Sequence, residues 1–251
     1  MNNTEPESIR LNRYLAMCGL GSRRRCDEIV AAGRIFINGN KVVELGSKVN
    51  VSADRVEYMG KVLTPVRRLQ YIAFHKPGGV IVTRSDPQGR TTIYDEIAKR
   101  GIDAAHLKYV GRLDYNSEGL LLLTNDGELV HALTHPRFQI KKVYRVRTAK
   151  TLTSGEQEKL IAGIRSEGQL LHAAGIKKIE SDKSEQSWYE IVLFEGKNRQ
   201  IRRMLESVGN EVWRLIRVQF SSVKLGDLRS GEVRPLTQRE VMGLRNVGYK
   251  S

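Results

Sequence analysis

Three separated stretches of this chain hold residues able to do chemistry. In Gly111-Arg112-Leu113-Asp114-Tyr115-Asn116-Ser117-Glu118-Gly119, a carboxylate lies in a loop between Tyr109-Val110 and the aliphatic run 120–123. Lys142-Val143-Tyr144 puts a phenol in a strand-like segment, and Gly196-Lys197-Asn198-Arg199-Gln200-Ile201-Arg202-Arg203-Met204 opens a basic helix. A single loop aspartate is most often a cap or a turn former. Asp114, however, has an apolar strand on either side to hold it rigidly. An aspartate beside an arginine stays ionised, and can then act as a nucleophile or stabilise developing positive charge. Ile201 and Met204 draw one side of the helix toward the core, which leaves Arg202 at the edge where it can pair with a buried carboxylate. Lys197 and Arg199 are suited to phosphate oxygens.

Other chemistries lack their residues. The five histidines form no His-x-x-x-His or mixed Cys/His cluster, and Cys18 and Cys26 lack the spacing of a zinc or redox site. Gly19-Leu20-Gly21 has no third glycine of a dinucleotide fingerprint. Gly196-Lys197-Asn198 lacks both the upstream glycine and the hydroxyl residue of a phosphate loop. Neither a metal nor a cofactor is therefore expected.

The partner is suggested by charge. Lys and Arg number 42 against 28 Asp and Glu, a net charge of +14, and this field favours a polyanion. The longest purely aliphatic run is the four residues 120–123, far short of the roughly 20 that span a bilayer. The opening eight residues are polar and acidic, unlike a signal peptide. A cytoplasmic protein that does not engage membranes is expected. With 40% apolar residues the chain can bury a core, and 251 residues suffice for two domains.

Positioning elements can be read along the chain. Leu11, Leu15 and Cys18 recur at helical spacing; Ser22 can cap a second helix over 23–32 that Gly33 ends. Ile35-Phe36-Ile37 before Asn38-Gly39 is a strand entering a tight hairpin. Arg23, Arg24 and Arg25 stand at a helix start, where the dipole already favours an anion, and are read as phosphate contacts. Residues 1–68 hold 12 Lys or Arg and 7 Asp or Glu, net +5, so this smaller unit is the more basic per residue. The stretch 64–68 looks like a linker, dividing the chain into 1–68 and 69–251. Beyond it, strands are expected at 71–74, 80–82, 109–110, 120–123, 143–146, 188–194 and 215–220. Helices are expected at 92–100, 128–133, 154–164 and 198–208, and the polar segment 181–187 reads as a surface loop. Strands outnumber helices and the crossovers are irregular, which favours an α+β fold with a mixed, mostly antiparallel sheet.

Two resemblances follow from these residues. Arg10-Leu11-Asn12, Gly21-Ser22-Arg23, Gly33-Arg34 and Ile37-Asn38-Gly39 resemble the S4 RNA-binding domain. The stretch 111–121, with Phe74-His75-Lys76-Pro77-Gly78-Gly79 before it and 196–204 after it, resembles the motifs of rRNA pseudouridine synthases of the RsuA/RluB branch. The likeness covers about 9–245 and implies Asp114 as nucleophile, Tyr144 as the active-site tyrosine and Arg202 as the partner of Asp114. Arg112, Ile201, Leu215, Lys197 and Arg199 are then substrate-binding, and Lys76, in the first motif, joins the three arginines as an RNA contact. The implied reaction detaches uracil from ribose at N1, turns it and rejoins it through C5, which needs neither cofactor nor metal. The implied partner is ribosomal RNA, and a monomer is expected. Trp188-Tyr189-Glu190 and 195–199 look closer to the large-subunit rRNA enzymes than to the small-subunit ones. A non-catalytic ribosome-assembly protein is the rival from another class; a methyltransferase would need a glycine-rich loop that is not seen.

Overall fold

The computed structural model describes residues 8–65, 69–181 and 187–248. The opening seven residues, positions 66–68 of the linker and 182–186 of the polar segment lie outside the described residues. The chain divides into two compact units between Leu69 and Gln70.

In the first unit, β1 (Ser8–Arg10), α1 (Leu11–Met17) and α2 (Arg23–Ala31) precede β2 (Ile35–Ile37), β3 (Asn40–Val42), β4 (Lys48–Asn50), β5 (Val56–Tyr58) and β6 (Lys61–Val62). Ser22 caps α2 by accepting from the Arg25 amide at 3.2 Å. Asn38 and Gly39 both take positive φ, 50° and 81°, the conformation a two-residue hairpin demands. Leu11, Leu15, Cys26, Ile29, Val30 and Ile35 close a separate small core, so the spacing that predicts helices also predicts which side of each is buried.

The second unit begins with β7 (Tyr71–Lys76), α3 (Ile93–Ala98), β8 (Lys108–Val110), β9 (Glu118–Thr124), α4 (Gly127–Thr134) and β10 (Lys142–Thr148). It continues through α5 (Ser154–Ala162), the hairpin β11 (Ile164–Ser166) and β12 (Gln169–Leu171), then β13 (Gly175–Ser181) and β14 (Ser187–Leu193). Last come α6 (Gln200–Glu206), β15 (Val212–Phe220), β16 (Val223–Lys224), β17 (Val233–Pro235) and α7 (Gln238–Gly248). The main sheet has the order β13-β14-β10-β15-β9-β7-β17, with β16 beside β15 and β8 beside β9. All these pairs are antiparallel except β15 with β9, so the sheet is mixed and mostly antiparallel.

The leucine run of β9 is apolar throughout because both of its faces are covered. Leu121 and Leu123 pack with Ile93 and Ile97 of α3, Leu160 of α5 and Met204 of α6. Leu120 and Leu122 pack on the other face with Leu129 and Leu133 of α4 and Leu244 of α7. No helix among the described residues is long and apolar enough to cross a membrane.

Some expected elements depart from the sequence reading: the helix read over 154–164 ends at Ala162 with Ile164 already in β11, and Ser181 and Ser187, the ends of the expected loop, belong to β13 and β14. Residues 80–82 do not make a strand: Val80 and Val82 are buried, but only Ile81 forms a bridge, to Thr92. Burial of alternate side chains there needs no ladder, because the backbone partner is the short entry to α3. The helix expected over 198–208 starts two residues later, since Arg199 takes a left-handed φ of 47° that an α-helix cannot contain.

Candidate active site

The loop carrying Asp114 leaves β8 at Val110 and enters β9 at Glu118. It is held chiefly through its backbone. The Ser117 amide donates to the Asp114 carbonyl at 3.0 Å, and the Gly79 amide to the Tyr115 carbonyl at 2.9 Å. Lys76, at the end of β7, passes underneath: its Nζ donates to the carbonyls of Pro77 (2.9 Å), Tyr115 (3.1 Å) and Ser117 (2.7 Å). The expected RNA contact by Lys76 is thereby corrected. The residue is wholly buried and its three protons face loop carbonyls, because β7 is an interior strand flanked by β9 and β17 and its last side chain has no route to solvent. Burial pushes the Lys76 pKa down to about 8, against the opposing charges of Glu118 and Asp114.

Replacing Lys76 by Met should strand three loop carbonyls, that of Ser117 in a buried contact, and destabilise the protein by roughly 3–5 kcal/mol, measured by urea unfolding. The pH dependence carries a definite sign. Between about pH 8 and the ordinary lysine value of 10.5, the unfolded chain holds a proton that folded Lys76 has lost, so this group adds stability as pH rises. The gap between wild type and Lys76→Met should therefore widen from neutral pH to about pH 10; a constant gap would contradict this assignment.

Above the loop opens a cavity of about 660 Å³. Arg112, Asp114, Tyr144, Lys197, Arg199, Ile201 and Leu215 all line it, together with Tyr109, Tyr115 and Leu193. Residues from four stretches spread over more than 100 positions thus meet: the loop between β8 and β9, Tyr144 of β10, the connection from β14 into α6, and Leu215 of β15. Tyr144 is 8% exposed and Leu215 6%, and Asp114 is the single carboxylate among the lining residues.

Arg202 does not join this wall. Its guanidinium donates to the Val212 carbonyl at 3.2 Å, where α6 meets β15. The expected direct ion pair with Asp114 is not formed in this structure; Asp114 acts on Arg202 through its charge, which opposes the lowering of the Arg202 pKa by burial and by Arg199. Lys197 bonds the Leu170 carbonyl at 2.6 Å and pairs with Glu195 at 2.8 Å, so its ammonium is already engaged by the protein. Arg199 is half exposed, 3.6 Å from Glu206. In the first unit Arg23, Arg24 and Arg25 are exposed, with Arg25 paired to Glu28 at 2.7 Å and Arg23 Nε donating to Asn12 at 3.2 Å.

Sequence reasoning met Arg203 in the basic helix run and Arg217 just after Leu215 but gave neither a role of its own. Arg203 is buried and fastens α6 to the hairpin β11–β12 through Ser166 and Gln169. Arg217 is 2% exposed. Its signal was present: it stands two residues after Leu215 in a strand, in phase with a core position.

Tyrosines, a single carboxylate and the cations Arg112, Lys197 and Arg199 around one cavity, on a chain of net charge +14, are the groups an enzyme acting on a base of a nucleic acid would use. Residues 70–207 match the family model of RNA pseudouridylate synthase and residues 9–56 that of the S4 domain. The ribosomal large subunit pseudouridine synthase B of Bacillus subtilis (strain 168) is 38% identical over 240 residues, covering 94% of this chain and 95% of that protein. The Haemophilus influenzae protein of the same name is 35% identical over 255 residues, covering 99% of this chain and 68% of its own. A crystal structure of a pseudouridylate synthase aligns with a TM-score of 0.64 at 28% identity, over 94% of this chain and 99% of that one. The chain belongs to the RNA pseudouridylate synthase family: it is an isomerase carrying an S4 domain.

Proposed function

We propose that this protein converts a uridine of large-subunit ribosomal RNA to pseudouridine, with Asp114 as the nucleophile. The observation that carries the reading is Asp114 at the edge of a cavity floored by Tyr144 and Leu215; the relatives named for the large subunit, at 35% and 38% identity, support the substrate. The target base leaves its stack, at a cost of a few kcal/mol, and its face is received by Tyr144, Ile201 and Leu215. The Asp114 carboxylate attacks the nucleotide, the N1–C1′ bond breaks, and uracil turns within the cavity. The new C5–C1′ bond forms and the bond to the Asp114 carboxylate breaks, freeing it; C5 gives up its proton beside the Tyr144 hydroxyl, and N1 gains one. Arg202 supplies a positive charge near Asp114. Arg112 and Arg199 at the rim meet phosphates. On the same reading the enzyme is a cytoplasmic monomer.

Release of tritium from C5 of labelled uridine in large-subunit rRNA tests this function, together with mapping of pseudouridine in both rRNAs with and without the protein. Modification confined to the small subunit would overturn the substrate, and no release from either rRNA would overturn the activity.

Affinity is assigned to residues 1–68 and chemistry to 69–251. Replacing Arg23, Arg24 and Arg25 together by Ala should weaken RNA binding and make it less salt-dependent, by about one unit of logarithmic slope for each phosphate no longer neutralised. Turnover at saturating RNA should persist. An unchanged slope would show that these arginines do not meet phosphate.

A further inference from the structure

One row of paired residues crosses the sheet beneath the site: Ile191, Tyr144, Arg217, Gly119 and Lys76. Arg217 stands in it between the strand that carries Tyr144 and the strand that leaves the Asp114 loop. Its Nε donates to the Leu120 carbonyl at 2.8 Å, and the guanidinium lies 5.1 Å from the centre of the Phe220 ring. Nη2 is buried without an acceptor. Burial pushes the pKa of Arg217 down and the facing Tyr144 phenol pushes it back up; among the described residues no carboxylate is among the groups acting on it.

A buried cation with no carboxylate partner is a poor device for stability, since a hydrophobic side chain of similar volume commonly does as well or better in such a place. The arrangement instead gives Arg217 one directed contact, from Nε to the Leu120 carbonyl just beyond Gly119, and makes Tyr144 its cross-strand neighbour in register. We propose that Arg217 is a positioning residue for Tyr144, fixing the phenol at the cavity floor and tying it to the strand behind Asp114 so that the two groups keep one spacing. The inference rests on the roles given above to Tyr144 and Asp114. Arg217 itself is buried and not among the residues that line the cavity, so it is given no contact with substrate.

A double-mutant cycle on the full-length enzyme tests it, with kcat and KM measured by tritium release from large-subunit rRNA. Arg217→Met keeps the packing volume and removes the guanidinium beside Tyr144 together with its bond to the Leu120 carbonyl. It should lower kcat on the order of 10- to 100-fold, the cost of a misplaced reactive group, with KM within about threefold. In a Tyr144→Phe background the same change should lower kcat less than about threefold, because the hydroxyl it holds is already gone. Arg217→Lys should recover part of the loss. If the Met variant does not fold, Arg217→Lys carries the same cycle, its single ammonium being unable to span both neighbours.

A kcat within about threefold of wild type for the folded Arg217 variant would overturn the inference, as would equal losses in the two backgrounds. The two failures are separable: an impaired Tyr144→Phe with additive losses removes Arg217's role alone, whereas wild-type kcat in Tyr144→Phe removes the role of Tyr144 and this inference with it.

Discussion

Asp114→Asn is expected to abolish isomerisation, by a factor on the order of 10⁴ or more, equivalent to roughly 5–6 kcal/mol of transition-state stabilisation. The amide has nearly the shape of the carboxylate but no full negative charge, and is a poor nucleophile. The fold should survive the change. Among the described residues, the bonds that hold the loop run from Lys76 and from the amides of Gly79 and Ser117 to backbone carbonyls, none of them through the Asp114 carboxylate. Arg202 would lose a nearby opposing charge, a modest penalty at its partly buried position. Circular dichroism and RNA binding should therefore match wild type while tritium release fails. Release within about tenfold of wild type on folded protein would remove Asp114 from the nucleophile's role.

Gly119→Ala should be nearly as damaging by another route. Gly119 has φ of +105°, a backbone conformation that side-chain-bearing residues rarely adopt. A Cβ at this position would lie 2.3 Å from the Arg217 carbonyl oxygen and 2.6 Å from its amide nitrogen. Both are backbone atoms of the neighbouring strand, so no rotamer change relieves the overlap. Relief requires parting β9 from β15, whose parallel pairing consists of Glu118 with Ile216 and Gly119 with Arg217. That would shift Arg217 and, through it, the Tyr144 strand. A loss above about 4 kcal/mol is expected in urea unfolding, placing this substitution among the severe ones, and any folded remainder should be slow in catalysis. A variant within about 1 kcal/mol of wild type would show that the two strands part easily.

These two residues mark where sequence and structure divide the information. Local spacing was enough for the helices of the first unit, for the Asn38-Gly39 hairpin and for the strand at 120–123, because capping, turn conformation and hydrophobic period act within a few residues. The motifs also named Arg112, Asp114, Tyr144, Lys197, Arg199, Ile201 and Leu215, which share one cavity. Their distance in the chain did not matter, since the motif residues carry the resemblance by type and order. Lys76, Arg202 and Arg217 could not be placed this way. Whether a basic side chain faces RNA, a neighbouring carbonyl or a phenol depends on which strands flank its own, and that is set by pairing between distant segments. Lys76 is buried because β7 lies between β9 and β17; Arg202 turns to Val212 because α6 packs on the start of β15. The strands β11, β12, β13 and β17 and the helix α7 escaped the sequence reading for the same reason. Alone, segments so short or weakly patterned do not declare an element, and their partners are what make them regular. Composition and motif determined by themselves that this is a basic protein with one carboxylate to offer a nucleotide. Only the tertiary structure decided which of its cations remain at the surface and which, like Lys76 and Arg217, are folded underneath, because burial of a charge is a property of the sheet's order and not of the residue.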